Sequence, residues 1–259
     1  VYGFNPRVWQ EATVLGMEAG AWEVNAPGLL LRFEEPALSQ SFADSSGYGN
    51  SAICIGKACP TAGVDGKYGT ALQFLGDDWL SLGHSRVNAL RNTLTVAAWI
   101  KPADLSGLHK IVATARTKSN NGFGFGTDGT NLRFTTFGVR DYTPGGIGLQ
   151  PNQWYHVAAV MDSNNAVTFY VDGKNMGKVT HDAPANADTD DVLLIGATTL
   201  VGSADASEQF KGLIDEVVVF DRALTQQEIY TLMAAHYNPN DLFVRPGDTV
   251  YYPSTLSNR

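Results

Sequence analysis

WYHVAAVMDSNNAVTFYVDGKNMGKV (Trp154–Val179) is the stretch that decides the fold. Its apolar residues recur every second position. Val157, Ala159 and Met161 share one face of a first strand, and Val167, Phe169 and Val171 share one face of a second, because successive strand side chains point to opposite sides. Asp162-Ser163-Asn164-Asn165 lies between the two runs and Asp172-Gly173 follows the second. Both carry the residue types that turns require.

The same grammar extends in both directions. Upstream, LTVAAWIKP (Leu94–Pro102) is a strand closed by Pro102, which cannot donate to a ladder. HKIVATAR follows, and GFGFGTDGTNLRFTTF (Gly122–Phe137) reads as a hairpin turning at Thr127-Asp128-Gly129. GLLLRFEE, ALQF and WLSLG are earlier short strands, the last two separated by Gly76-Asp77-Asp78; DVLLIGA and FKGLIDEVVVFDR come later. Many short strands with almost no helical period predict an all-β, two-sheet antiparallel jelly-roll sandwich. One short C-terminal helix is the exception. Thr225 and Glu228 form a capping box, Leu224 and Ile229 a hydrophobic staple, and Ile229, Leu232 and Met233 an apolar stripe that ends near His236.

The 259 residues suffice for one large β-domain with flanking segments. The sandwich is expected over 28–237. Residues 1–27 read as a linker or extension with a helical turn at Glu11–Glu18. Residues 238–259 read as an extended tail or the start of a following β-module. A net charge of −8 without a Lys/Arg cluster excludes a nucleic-acid partner. No apolar run approaches the roughly 18–20 residues of a membrane span. Cys54 and Cys59, in CIGKAC with Gly56 between them, are expected to form a small disulfide ring, which implies an oxidising, extracellular or cell-surface location. Val1 stands where an initiator Met would, so the chain is expected to be a processed or excised piece.

The order GLLLRFEE, FADSSGYGN, GKYGTALQFLGDDWLSLG, LTVAAWIKP, QWYHVAAVMD, VTFYVDGK, LIGA and FKGLIDEVVVFDRALTQQEI resembles the laminin-G-like jelly rolls of bacterial surface proteins. Those domains are concanavalin A-like sandwiches. The resemblance covers about residues 28 to 237, and FYVDGK and LIDEVVVFDRALTQQEI are its most specific parts. It implies a module of a larger secreted or surface protein. The fold hosts lectins, adhesion modules and glycosidases alike, so it does not decide activity.

Candidate sites follow. Asp44-Ser-Ser-Gly-Tyr-Gly-Asn50 is a curled oxygen-rich loop suited to calcium, with Asp44, Asn50 and the Gly47 backbone as donors; Asp215, or Glu34 and Glu35, would complete the shell. The resemblance implies the same structural Ca²⁺, joining the early loop to the last long strand. Asp182, Asp188, Asp190 and Asp191 lack an EF-hand pattern and read as a solvated loop. GFGTDG (Gly124–Gly129) matches a dinucleotide fingerprint, but a strand follows where a helix N-terminus is needed. Trp79, Phe137, Arg140 and Tyr142 are candidates for ligand contact, while Trp99, Trp154 and His156 read as structural.

A glycosidase needs two carboxyls facing one sugar. Asp215 and Glu216 are adjacent, and strand alternation sends them to opposite faces. The expectation is a non-catalytic adhesion or binding module whose partner is a glycan or a surface protein. One alternative is a structural subunit assembling with copies of itself through terminal strands; a divergent glycoside hydrolase is the other.

Overall fold

In the computed structural model the Trp154–Val179 hairpin forms in the register its pattern implies. Val157 pairs with Val171, Ala159 with Phe169, and Met161 with Val167. Asp172 and Gly173 both take positive φ, +49° and +73°. That is what a two-residue type I′ turn between Val171 and Lys174 demands. The structure describes residues 9–13, 27–54, 56–83, 93–118, 120–180, 192–234 and 249–253.

Two antiparallel sheets stack into a sandwich. The first runs Arg140–Tyr142, Asn131–Thr136, Phe123–Asp128, Leu108–Thr114, Leu193–Ile195, Leu80–Leu82, Ala52–Ile53, Ser41–Phe42. The second runs Lys174–Thr180, Ala166–Val171, Tyr155–Met161, Leu94–Pro102, Lys211–Phe220, Thr70–Leu75, Thr61–Asp65, with Leu29–Leu31 also on Lys211–Phe220. Phe125, Phe134 and Leu193 of the first sheet face the same core as Phe169, Ile100 and Val219 of the second. Each such side chain, fully removed from water, stabilises the fold by about 2 kcal/mol.

The chain changes sheets at Gly76-Asp77-Asp78, so ALQF and WLSLG are not hairpin partners. Asp78 makes the corner: its Oδ2 accepts the Leu75 N–H at 2.6 Å, and Trp79 N–H donates to Ala58 O. Cys54 and Cys59 are joined by a disulfide beside this corner, with Cα atoms 5.0 Å apart.

The helix spans Gln226–Ala234. Its capping box is reciprocal, since Glu228 N–H donates to Thr225 Oγ1 and Thr225 N–H to Glu228 Oε2. Leu224 and Ile229 are both buried, as the staple requires. Thr95, in the central strand of the second sheet, fixes the helix entry by accepting the Leu224 N–H and donating to Arg222 O.

The sandwich and helix form one compact unit, Pro27–His236. Residues 1–26 and 237–259 form another, in which Trp9–Thr13 pairs antiparallel with Thr249–Pro253. Residues 11–13 are therefore strand rather than helical turn, because they ladder with the tail; residues 14–18 lie outside the described residues.

Candidate functional site

The residues expected to hold calcium flank the strand Leu29–Leu31, which bridges to Asp44 on one side and pairs with Val217–Val219 on the other. Asp44 Oδ1 accepts N–H groups of Leu30 and Ser46 at 3.0 and 2.9 Å, and Oδ2 accepts that of Asn50 at 2.9 Å. The Asn50 side chain donates to Gly28 O. Glu35 Oε1 accepts the Ala43 N–H. Three N–H dipoles turn their positive ends to one carboxylate, the arrangement of an Asx turn tethering its neighbours. Gly47 is exposed, with φ +89°.

Asp215 lies on the last long strand, Lys211–Phe220. It is fully buried, and its Oδ2 accepts the N–H groups of Lys67 and Tyr68 at 2.9 and 3.1 Å. Glu34 joins it there, accepting the Thr70 N–H. The Glu34 carboxylate occupies the space a Cβ at Gly69 would take, and Gly69 has positive φ besides. Among the described residues no three His, Cys, Asp or Glu side chains gather as a metal would need. The carboxylates among the expected calcium donors each accept backbone N–H groups, Asp44 from Leu30, Ser46 and Asn50, Glu35 from Ala43, Glu34 from Thr70, and Asp215 from Lys67 and Tyr68.

Alternation also fails at Asp215-Glu216. A β-bulge lies between Asp215 and Val218, and Glu216 adopts φ +48°, so both carboxyls stay buried. Burial pushes Asp215 up to about 7, against the N–H groups of Tyr68 and Lys67 that favour its charge. Burial likewise pushes Glu216 up to about 8, with Arg32 opposing and Asp215 and Glu34 adding. Nearby, Tyr68 meets Trp99 edge-on at 6.0 Å and Lys67 Nζ sits 4.3 Å from the Trp99 ring centroid. His156, also against Trp99, is held neutral by burial, its pKa lowered to about 3.

Tyr142, expected at a ligand surface, is fully buried. It pairs opposite Phe134 and packs edge-on against it, within the core. Trp79 is half-buried at the sheet-crossing corner. Phe137 and Arg140 do meet in one place. They line a groove of about 340 Å³ on the first sheet, together with Lys110, Arg116, Asn120, Arg133, Thr135, Asp141 and Glu208.

The glycines of GFGFG make this groove possible. A Cβ on Gly126 would strike His109 O and come 2.8 Å from Lys110 Cα; one on Gly124 would come 2.9 Å from Phe137 Cζ and 3.1 Å from Lys110 Cε. Their absence lets Lys110 lie across the strand, only 3% exposed, with Nζ 3.3 Å from Glu208 Oε2. Burial lowers the Lys110 pKa and Glu208 opposes it. Arg133 bridges Asp128 and Asp141, and Thr135 donates to Asp141 at 2.7 Å. Arg116 lies over Phe137, 4.6 Å from ring centroid to Cζ, and its Nε–H donates to Thr199 O at 2.8 Å. The result is a row of donors and acceptors held by one another.

A family model described as the concanavalin A-like lectin/glucanases superfamily, of laminin G type, matches residues 74–230. The chain belongs to this superfamily. Among solved structures, domain 4 of AbnA, a GH43 extracellular arabinanase from Geobacillus stearothermophilus, in complex with arabinotriose, superposes with a TM-score of 0.61 at 23% identity, covering 80% of this chain and 98% of that one. The binding domain of Paraclostridial Mosquitocidal Protein 1 matches at 0.61 and 15%, covering 80% and 52%. The binding domain of botulinum neurotoxin DC in complex with rat synaptotagmin II matches at 0.59 and 14%, covering 82% and 52%. The chain thus spans about half the length of the toxin binding domains. At these identities the likeness establishes the fold.

Within this lectin/glucanase sandwich the groove residues other than Phe137 and Arg140 escaped the sequence reading. The available signal was a Lys inside HKIVATAR and an Arg inside NLRFTTF, each a long cation amid strand-forming residues. Among the described residues no helix is long and apolar enough to cross a membrane.

Proposed function

We propose that this chain is a non-catalytic binding module of a secreted or cell-surface protein and that the groove over Gly124 and Gly126 is its ligand seat. One observation carries the reading. The groove side chains are locked before any ligand arrives, Lys110 on Glu208, Arg133 on Asp128 and Asp141, and Arg116 on Phe137 and Thr199. Preorganisation of this kind removes much of the ordering cost of binding. The structural neighbours support the reading, being binding domains or a domain in complex with arabinotriose. A disulfide suits an oxidising compartment.

The two carboxylates of the groove, Asp141 and Glu208, are each engaged in an ion pair, with Arg133 and with Lys110. Asp44 is a backbone tether in this reading rather than a calcium ligand, and a melt with EDTA is expected to leave the midpoint unchanged. A drop of several degrees would restore the metal. The seat itself is tested by Thr135→Trp, which fills the groove. Binding on a glycan array should disappear while the thermal midpoint holds; retained binding would place the seat elsewhere.

The terminal strand pair supports a second reading. Among the described residues Trp9–Thr13 and Thr249–Pro253 pair with no third strand, and a two-stranded ribbon is only marginally stable alone, so its edges offer a way to join copies of the chain. Size-exclusion chromatography showing a monomer at all concentrations would remove that reading.

A further inference from the structure

The charges of the groove do not cancel. Lys110, Arg116, Arg133 and Arg140 line it, and the carboxylates that answer them are Glu208, Asp128 and Asp141. Glu208 answers Lys110, and the other two answer Arg133. Neither Arg116 nor Arg140 has an acidic partner among the described residues. This is an unusual local balance in a chain whose net charge is −8.

Arg116 is also held as a receptor. Its backbone N–H donates to Thr199 Oγ1 at 2.7 Å, its Nε–H to Thr199 O at 2.8 Å, and its guanidinium plane rests on Phe137. Its two terminal amino groups have no hydrogen-bond partner among the described residues. A guanidinium pinned through Nε presents those groups as a fixed fork, matched to a carboxylate or sulfate. Arg140 is exposed on the same groove and supplies a second cation.

The aromatic surface argues in the same direction. A neutral sugar is commonly held by stacking on an open ring, but Phe137 is covered by Arg116 and only 4% exposed, and Tyr142 is buried. What the groove offers is charge together with paired donors and acceptors, Arg133–Asp141–Thr135 on one side and Lys110–Glu208 on the other. Vicinal hydroxyls, which donate and accept at once, fit such pairs. The larger apolar side chains of the lining are Leu108, Phe137 and Val139, against four cations.

We propose that the groove takes an acidic saccharide, with a carboxylate or sulfate on the Arg116 fork, a second anionic group near Arg140, and sugar hydroxyls on the Arg133–Asp141–Thr135 and Lys110–Glu208 pairs. This rests on the groove being the ligand seat. The overall negative charge of the protein repels polyanions in general, so binding requires this local site.

The test is titration calorimetry of the whole chain against polygalacturonate, dextran sulfate, carboxyl-reduced polygalacturonate and neutral dextran. The first two separate the carboxylate from the sulfate source. At least one of them should bind, and the neutral polymers should not. Arg116→Gln and Arg140→Gln should each weaken binding roughly tenfold or more, and Arg116→Lys should do nearly as much because it keeps charge but loses the fork. Arg140 is exposed, so its variant keeps the thermal midpoint even if Arg116→Gln loosens the Thr199 turn. Equal binding of the neutral polymers, abolished by Thr135→Trp, would overturn the acidic ligand and leave the seat standing. Polyanion binding indifferent to all four changes would overturn both. Poly-glutamate competing as well as polygalacturonate would overturn the saccharide, assigning the site to an acidic peptide at the open edge strand Arg140–Tyr142.

Discussion

Around Asp215 the carboxylates face backbone N–H groups, one another and Arg32, whereas around Arg133 they are paired with guanidinium and ammonium groups. The first arrangement closes on the chain itself: Asp215 holds Lys67 and Tyr68, Glu34 holds Thr70, and the helix end is reached through Tyr68 Oη on Met233 O. The second lays the buried Lys110 and Phe137 over two glycines, sets half-buried and exposed side chains around them, and leaves two arginines without an acidic partner among the described residues. Acidic residues that bond the backbone knit the fold. Those that position cations leave a surface prepared for something outside it.

The comparison is broken most severely by Asp215→Ala. Removing the carboxylate leaves two N–H groups without an acceptor in a dry corner, at a cost of about 3 kcal/mol. Urea unfolding should show this, with groove binding unchanged at low denaturant. Gly126→Ala attacks the other side. Its Cβ meets backbone atoms that cannot move aside, so about 2 kcal/mol of stability should go, while Gly124→Ala meets only the ends of Phe137 and Lys110 and should cost less. Equal effects would mean that Lys110 is not laid over a fitted floor. Replacing Cys54 and Cys59 together by Ser opens a ring of sequence separation 5 and should cost about 2 kcal/mol, without touching the groove.

A smaller effect separates the two regions by pH. Burial keeps Asp215 protonated in the fold up to about 7 and Glu216 up to about 8, whereas both ionise near about 4 when unfolded. The stability they contribute is whole below the unfolded values and is lost as pH rises through the folded ones. His156 has the opposite sign: its folded pKa is lowered to about 3, so its contribution is complete above about 6.5 and lost as pH falls from there. Between about pH 6.5 and about pH 8.5 the His156 contribution is constant while that of the carboxyls falls. The melting midpoint should fall across that window, and the double change Asp215→Asn, Glu216→Gln should flatten it. A midpoint that rises there would contradict the burial of both acids.

Much of the sandwich was legible because strands announce themselves locally. Val157, Ala159 and Met161 alternate within a few residues, and Thr225 with Glu228 bounds the helix within one turn. The groove was not, because its partners are remote in sequence. Nothing near Lys110 points to Glu208, and Arg116 meets Thr199 only after the sheet has closed. Alternation misled at Glu216, where a bulge places a non-glycine residue at positive φ that no residue type announces. Tyr142 read as a loop aromatic since the short pairing of Arg140–Tyr142 with Asn131–Thr136, which turns it inward, has almost no pattern of its own. GFGTDG carries the glycine spacing of a phosphate loop without the helix one needs, and its glycines form a floor for Lys110 and Phe137.

The most direct test of the groove as the working surface is hydrogen–deuterium exchange of the whole chain with and without polygalacturonate or dextran sulfate. The expected result is added protection over 108–116 and 131–142, with 43–51 and 65–70 unchanged. Protection confined to the Asp44 loop or the Asp215 corner, with the groove strands unaffected, would contradict the account.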